Sequence, residues 1–178
     1  NIDLKAAKEF GVKVAYVPDY CLDEVADHTV AMMLSLLRQL PTLDKGVREG
    51  RWDGIQMAKP LLPLNQVTVG FIGFGRMGQA VLSRLKGFGC KFLAHDPFLN
   101  PDKAKELDVT SVDLETLLNT ADAITLHAPL TEQTRYLVNA ERLALMKPTS
   151  VLVNTARGGL VDAQALATAL NNHHLRAA

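Results

Sequence analysis

Cysteine is scarce in this chain, and the two present, Cys21 and Cys90, stand far apart with no CxxC or Cys/His spacing. A disulfide scaffold and a zinc site both lack their framework, so no metal is expected and a reducing cytoplasm is the expected compartment. An excess of either charge is missing too: lysine plus arginine number 19, aspartate plus glutamate 19, and no basic run occurs. Nucleic acid, which is held through its phosphates, is therefore not an expected partner. Long apolar runs are also absent. The longest, over residues 25–37, is interrupted by Asp27, His28 and Ser35 and falls short of the ~20 residues of a spanning helix, so a membrane is not expected as a partner either. No charged-then-apolar leader opens the sequence, and secretion is not expected.

What is present suits one globular domain: 178 residues, 48% hydrophobic and 21% charged. The ends are unusual. There is no initiator methionine, a helix begins almost at once with Asp3 placed to cap it, and the final "HHLRAA" stops where another strand is about to start. The expectation is an internal piece of a longer protein.

Residues 3–10 read as a helix ended by Gly11, and residues 12–17 as a strand ended by Pro18. After a connection, "DEVADHTVAMMLSLLRQL" reads as a helix running to about Leu40 and stopped by Pro41. Its apolar residues cover most of the circumference, which predicts burial on more than one side, against another domain or another subunit, and supports a homodimer. Residues 42–66, with the single tryptophan Trp52 and prolines 60 and 63, read as a helix and then an irregular segment. From Gln66 the pattern becomes regular. "QVTVGFIG", "CKFLAHD", "DAITLHAP" and "SVLVNTA" are apolar strands, and "RMGQAVLSRLKGFG", "DLETLLNTA", "NAERLALM" and "DAQALATALNN" are helices between and after them. Such alternation predicts an α/β fold, a doubly wound parallel sheet covered on both faces. No internal repeat is visible.

"GFGRMG" sets Gly73, Gly75 and Gly78 in G-x-G-x-x-G spacing, and Asp96 closes the next strand eighteen residues after Gly78. Alone the glycines are a weak signal. Strand before, helix within and acid after make a dinucleotide-binding fingerprint. Amides near Arg76 and Met77 would face a pyrophosphate at the helix start, where the dipole favours anions. The Asp96 carboxylate would accept from the adenosine ribose hydroxyls and repel a 2′-phosphate, which favours NAD over NADP. The bland reading is a structural turn beside a solvated aspartate.

"VLVNTARGGLV" poses a different question, because it drives a cation, Arg157, out of a buried strand into two glycines. Ligands of open α/β sheets lie beyond the carboxyl ends of strands, where Arg157 and His127 both stand. The planar fork of an arginine matches a carboxylate and could hold a small organic acid; an ion pair fastening a loop is the alternative. His127 reads as part of the cofactor wall or as a proton shuttle. His28, His95, His173 and His174 read as helix or surface residues.

"VGFIGFGRMGQAVLSRLKGFGCKFLAHDP", "LHAPLTEQTRYLVN" and "VLVNTARGGLVDAQALATAL" together resemble the NAD-binding Rossmann domain of the D-isomer-specific 2-hydroxyacid dehydrogenases. "NIDLKAAKEFGVKVAYVP" is similar to the end of that family's flavodoxin-like substrate domain, and "PDYCLDEVADHT" to the hinge that follows. The resemblance implies a substrate-domain remnant over residues 1–19 and a Rossmann domain, truncated at its C-terminus, over residues 20–178. It implies that Gly73, Gly75, Arg76, Met77, Gly78 and Asp96 form the dinucleotide site. It adds Ala128, Pro129 and Thr134 on the adenine and ribose side, Thr155 and Ala156 as cofactor-binding residues just before the arginine, and Arg157 as the catalytic residue that binds the substrate carboxylate.

The family's acid/base histidine, its glutamate partner and an aspartate on the carboxamide would fall past the last residue. General acid/base catalysis is worth about 10²- to 10⁴-fold, so this polypeptide alone is expected to be inactive. Two classes of function stay open at this point. One is the NAD-binding part of an oxidoreductase acting on a small 2-hydroxy or 2-oxo acid, as in the phosphoglycerate dehydrogenase branch; the other is an NAD(H)-sensing binding module like the C-terminal-binding corepressor branch.

Overall fold

The computed structural model describes residues 2–17, 20–58 and 61–178, apart from the side chain of Ile55. In chain order the elements are α1 (Leu4–Glu9), α2 (Leu22–Leu37), α3 (Leu40–Arg48), α4 (Gly54–Met57), β1 (Thr68–Ile72), α5 (Arg76–Leu85) and β2 (Lys91–His95). They continue with α6 (Pro101–Glu106), β3 (Thr110–Ser111), α7 (Leu114–Thr120), β4 (Ala123–Leu126), α8 (Ala140–Leu145), β5 (Val151–Asn154) and α9 (Ala163–Asn171). The sheet order is β3-β2-β1-β4-β5, and every pairing is parallel. Chain order therefore runs outward from β1 in both directions, which is the doubly wound arrangement the alternating pattern predicts.

Side-chain parity builds the two layers. Successive strand residues point to opposite faces, so Val69, Phe71, Val151 and Val153 join α2 and α5 in one core, whereas Ile72, Ile124, Leu126 and Leu152 join Leu117, Leu143 and Leu160 in the other. Both faces of β4 and β5 are buried, which is why these strands read as continuous apolar runs rather than alternating ones. Side-chain caps set the starts of most helices: Asp3 accepts from the amides of Lys5 and Ala6, Asp113 from Thr116, Asn139 from Arg142, and Asp162 from Gln164 and Ala165. At the chain's end Ala177 pairs with Val151 in a parallel bridge, where the sequence predicts a further strand.

Three expectations change. Residues 12–17 join no ladder, and Val12, Tyr16 and Val17 are exposed. A strand is defined by the neighbour that satisfies its amides, and these residues have none in the sheet. Their expected terminator, Pro18, lies outside the described residues, as does Pro60. The long helix ends at Leu37 rather than Leu40, and Gln39 takes a left-handed φ of 52° before α3. Pro41 sits in the first turn of α3 and opens that helix instead of stopping the previous one, because an amide at that position has no intrahelical acceptor to lose. The buried residues of α2 (Ala26, Thr29, Val30, Met33, Leu37) form one stripe against α5 and β5, and Met32, Leu34 and Leu36 flank it half-buried. In addition, α6 and β3 carry no apolar pattern that would announce them: β3 is two exposed residues at the sheet edge.

Candidate active site

The site grows from the exits of β1, β4 and β5. Gly73 follows β1 with φ +84°, and a Cβ there would lie 2.7 Å from the Ala128 nitrogen and 2.8 Å from the His127 carbonyl carbon. Both its conformation and its contact with the backbone leaving β4 require glycine. Gly75 caps α5 and has open space around its Cα, so a ligand can approach the backbone there. Gly78 packs the first turn of α5 closely against Gly73 and Phe74. Arg76 and Met77, at the head of the ten-residue α5, belong to the first turn, whose amides have no intrahelical acceptor and collect anions.

Asp96 follows β2 and does more than the fingerprint predicts. Its Oδ2 accepts from the Phe74 amide at 2.7 Å and its Oδ1 from the Phe98 amide at 2.8 Å. The carboxylate thus clasps the glycine loop, and each oxygen keeps a second lone pair for a ribose hydroxyl.

On the other side, Cys21, Val25, Met77, His127, Ala128, Pro129, Leu130, Thr155, Ala156 and Arg157 line one cleft of about 630 Å³. Arg157 is exposed. Its Nη1 donates to the Ala156 carbonyl at 2.8 Å, and no carboxylate pairs with it among the described residues. Asn154 braces the turn instead, with Nδ2 donating to the Arg157 carbonyl at 2.9 Å and Oδ1 accepting from the Ala156 amide at 3.1 Å.

The two glycines after Arg157 serve different ends. A Cβ added at Gly158 would meet nothing within 4 Å, but one added at Gly159 would lie 2.9 Å from Leu130 Cδ2. Gly159 makes room for the neighbouring loop, to which its carbonyl is also bound by the Tyr136 amide at 2.8 Å. Only Gly158 leaves open space beside the arginine.

His127 lies beside Phe71, and its Nε2 is 3.0 Å from the Thr125 hydroxyl. Burial pulls its pKa down to about 4, because the charged ring would lose hydration without gaining a counter-ion. The ring is neutral at pH 7. Its Nδ1 is buried without a partner among the described residues.

Thr134 does not join the cleft. Its hydroxyl donates to the Pro129 carbonyl at 2.6 Å and accepts from the Thr131 amide at 2.7 Å, closing the loop that presents Ala128 and Pro129. Sequence reading misses two hydroxyls. Thr29 of α2, fully buried, lies 2.7 Å from the Thr155 hydroxyl, and Thr125 of β4 holds His127; a lone threonine inside an apolar run gives no sign of either partner. Among the described residues no group of His, Cys, Asp and Glu could hold a metal ion, and no helix is long and apolar enough to cross a membrane.

A parallel sheet of order 3-2-1-4-5, a glycine loop at its switch point and an acid after β2 define a dinucleotide-binding Rossmann domain. Residues 30–178 match the model of the D-isomer specific 2-hydroxyacid dehydrogenase NAD binding domain, and the chain belongs to that family. It is 41% identical to a D-3-phosphoglycerate dehydrogenase of Synechocystis over 96% of its own length and 30% of the relative's. It is 39% identical to the glyoxylate reductase of Thermococcus litoralis over 96% of its length and 53% of that protein. The solved D-lactate dehydrogenase of Aquifex aeolicus, complexed with NAD and lactic acid, superposes with a TM-score of 0.90 at 36% identity, covering 98% of this chain and 52% of that one. The chain thus spans a third to a half of the length of these relatives.

Proposed function

We propose that this chain binds NAD(H) and supplies the cofactor half of an active site that moves hydride between nicotinamide and a small D-2-hydroxy or 2-oxo acid. One observation carries the reading: Arg157, which pairs with no carboxylate among the described residues, shares a cleft with Met77 of the glycine-loop helix and with His127. An unpaired guanidinium there fits a substrate carboxylate in bidentate fashion and polarises the adjacent carbonyl. NAD supplies the hydride acceptor when bound. Gly73, Gly75, Arg76, Met77 and Gly78 would hold its pyrophosphate, Asp96 its adenosine ribose, and His127, Ala128, Pro129, Thr155 and Ala156 the cleft wall, with Thr134 supporting that wall from behind.

His127 is unsuited to carry the reaction's proton. A group with a pKa of about 4 is a poor donor near neutrality, and its Nε2 is turned to Thr125. The chain by itself is accordingly expected to bind cofactor without turning over. The relatives named above are dehydrogenases and a reductase, which favours the oxidoreductase reading over a corepressor-like module. Residues 1–19 fit a substrate-domain segment, since α1 buries none of its residues. The half-buried flank of α2 fits a homodimer contact, and two free cysteines fit a reducing cytoplasm.

The test is a fluorescence titration with NADH, followed by oxamate, a 2-oxo acid mimic, added to the NADH-loaded chain. Oxamate binding in the wild type that is lost in Arg157→Gln, with NADH affinity unchanged, supports the reading. Equal oxamate affinity in the two overturns it.

A further inference from the structure

We propose that Leu130, seated on Gly159, is a specificity-determining residue: it gives the acid held at Arg157 an apolar neighbour, so that the site prefers a monocarboxylate with an apolar side chain to an acid that carries a second charge. The inference rests on the carboxylate-binding reading of Arg157 above and deepens it.

Leu130 and Arg157 line the same cleft, and both are open to solvent, the leucine with 38% of its surface exposed. They are also fastened together. Leu130 Cδ2 and Cδ1 lie 2.9 and 3.2 Å from the place a Cβ would take on Gly159, two residues after the arginine. The hollow left by that missing Cβ is the seat of the leucine. An acid bound through its carboxylate has the rest of its skeleton only a few bonds away, and Leu130 is the cleft's apolar side chain that packs on the arginine's own turn.

The frame around the contact is fixed by hydrogen bonds. On the loop side, the Thr134 hydroxyl donates to the Pro129 carbonyl at 2.6 Å and accepts from the Thr131 amide at 2.7 Å, which pins the residues on either side of Leu130. On the turn side, the Tyr136 amide donates to the Gly159 carbonyl at 2.8 Å and the Val138 amide to the Leu160 carbonyl at 2.9 Å. Loop and turn are held at one separation, so the residue at 159 sets how the leucine end is seated. A methyl added there would meet the far end of a side chain and not backbone; the leucine gives way and the frame stays.

Charge favours the same selection. Of the described residues that line the cleft, Arg157 alone carries a charge at pH 7, since the His127 ring is neutral. One guanidinium matches one carboxylate. A second anionic group laid against Leu130 would lose water and gain no counter-ion from this wall, whereas an alkyl group there is stabilised by burial.

The test uses the whole chain loaded with NADH and titrated with oxamate, N-isobutyloxamate and N-oxalylglycine. The last two share one shape, N-oxalylglycine ending in a carboxylate where the other ends in a branched alkyl group. N-isobutyloxamate should bind roughly fourfold more tightly than oxamate, the worth of about one buried methylene, and N-oxalylglycine no more tightly than oxamate. Leu130→Ala should bring the ratio of N-isobutyloxamate to oxamate affinity close to one, and Leu130→Met should keep most of it. Gly159→Ala, which unseats the leucine, should change N-isobutyloxamate affinity more than oxamate affinity, and adding Leu130→Ala should remove that difference. A ratio that Leu130→Ala leaves unchanged, or N-oxalylglycine binding as tightly as N-isobutyloxamate, overturns the proposal. Arg157→Gln tells its failure from that of the underlying reading. If that variant loses all three probes while the ratio is indifferent to residue 130, the proposal alone falls. If oxamate binds Arg157→Gln as well as it binds the wild type, the carboxylate reading falls and the proposal with it.

Discussion

The hydroxyl oxygens of Thr29 and Thr155 lie 2.7 Å apart, joining residues 126 positions distant in sequence. Thr29 is fully buried on α2 and donates to the Val25 carbonyl at 2.7 Å. Its one hydrogen is thereby used, so Thr155 must be the donor to Thr29. The consequence is directional: Thr155 faces the cleft with lone pairs and no hydrogen to offer. The helix that crosses the face of the sheet therefore decides the chemistry of a side chain two residues before Arg157.

Thr29→Val should release that donor. The expected loss of stability is about 1–2 kcal/mol, the usual scale for unmaking a buried hydrogen bond, with several-fold weaker NADH binding as Thr155 becomes free to rotate. Thr29→Ser should recover most of both. Urea denaturation and NADH titration of Thr29→Val, Thr155→Val and the double variant measure the coupling, which neighbours in one network place at about 0.5–3 kcal/mol. Strict additivity would show that the pair does not act as a unit.

Gly73→Ala should be among the more damaging single changes near the loop. Its φ of +84° strains any side chain, and the added methyl would press on backbone atoms 2.7–2.9 Å away that cannot turn aside. The expected cost is roughly 1–3 kcal/mol, read as a lower urea midpoint, together with loss of NADH affinity. Gly75→Ala makes the contrast. Beyond its chain neighbours nothing lies within 4 Å of the new methyl, so the urea midpoint should hold while NADH binding falls.

How far the sequence discloses this site follows from the range of each interaction. Strands such as "SVLVNTA" are legible because both of their faces are buried, and the glycine loop because strand, spacing and acid coincide within a short stretch. The stop at Leu37 is not legible, because it depends on Gln39 adopting a left-handed conformation that its side chain does nothing to advertise. Residues 12–17 mislead for the opposite reason: the local pattern is a strand's, but pairing is a matter of neighbours. The bond from Thr134 to the Pro129 carbonyl closes a local loop that the sequence pattern does not announce. The Thr29–Thr155 and Thr125–His127 pairs need the fold before either partner can be seen.

Asp96→Ala should weaken NADH binding by about tenfold, the scale of one or two lost hydrogen bonds, and should narrow the preference for NADH over NADPH, because the carboxylate that repels a 2′-phosphate is gone. The same change unclasps the Phe74 amide, so part of the loss belongs to the loop. Asp96→Asn separates the two effects: it can still accept from an amide but carries no charge. Discrimination should therefore fall in both variants, with NADH affinity better kept in Asp96→Asn. Paired titrations with the two cofactors decide it.

Acid should destabilise the chain partly through His127. Burial lowers the pKa of this ring in the folded state from 6.5 to about 4, so between those values the unfolded chain binds a proton that the folded chain refuses. Stability contributed by the neutral ring is complete above pH 6.5 and drains away as pH falls toward 4, by roughly 3 kcal/mol at most. Carboxylates titrate over part of the same range, so the comparison must be with a variant that lacks only the imidazole. Urea midpoints of His127→Asn should fall less steeply between pH 6.5 and pH 4.5 than those of the wild type, although the variant starts lower at pH 7. Parallel slopes would mean that the imidazole is hydrated, and charged, in the folded chain.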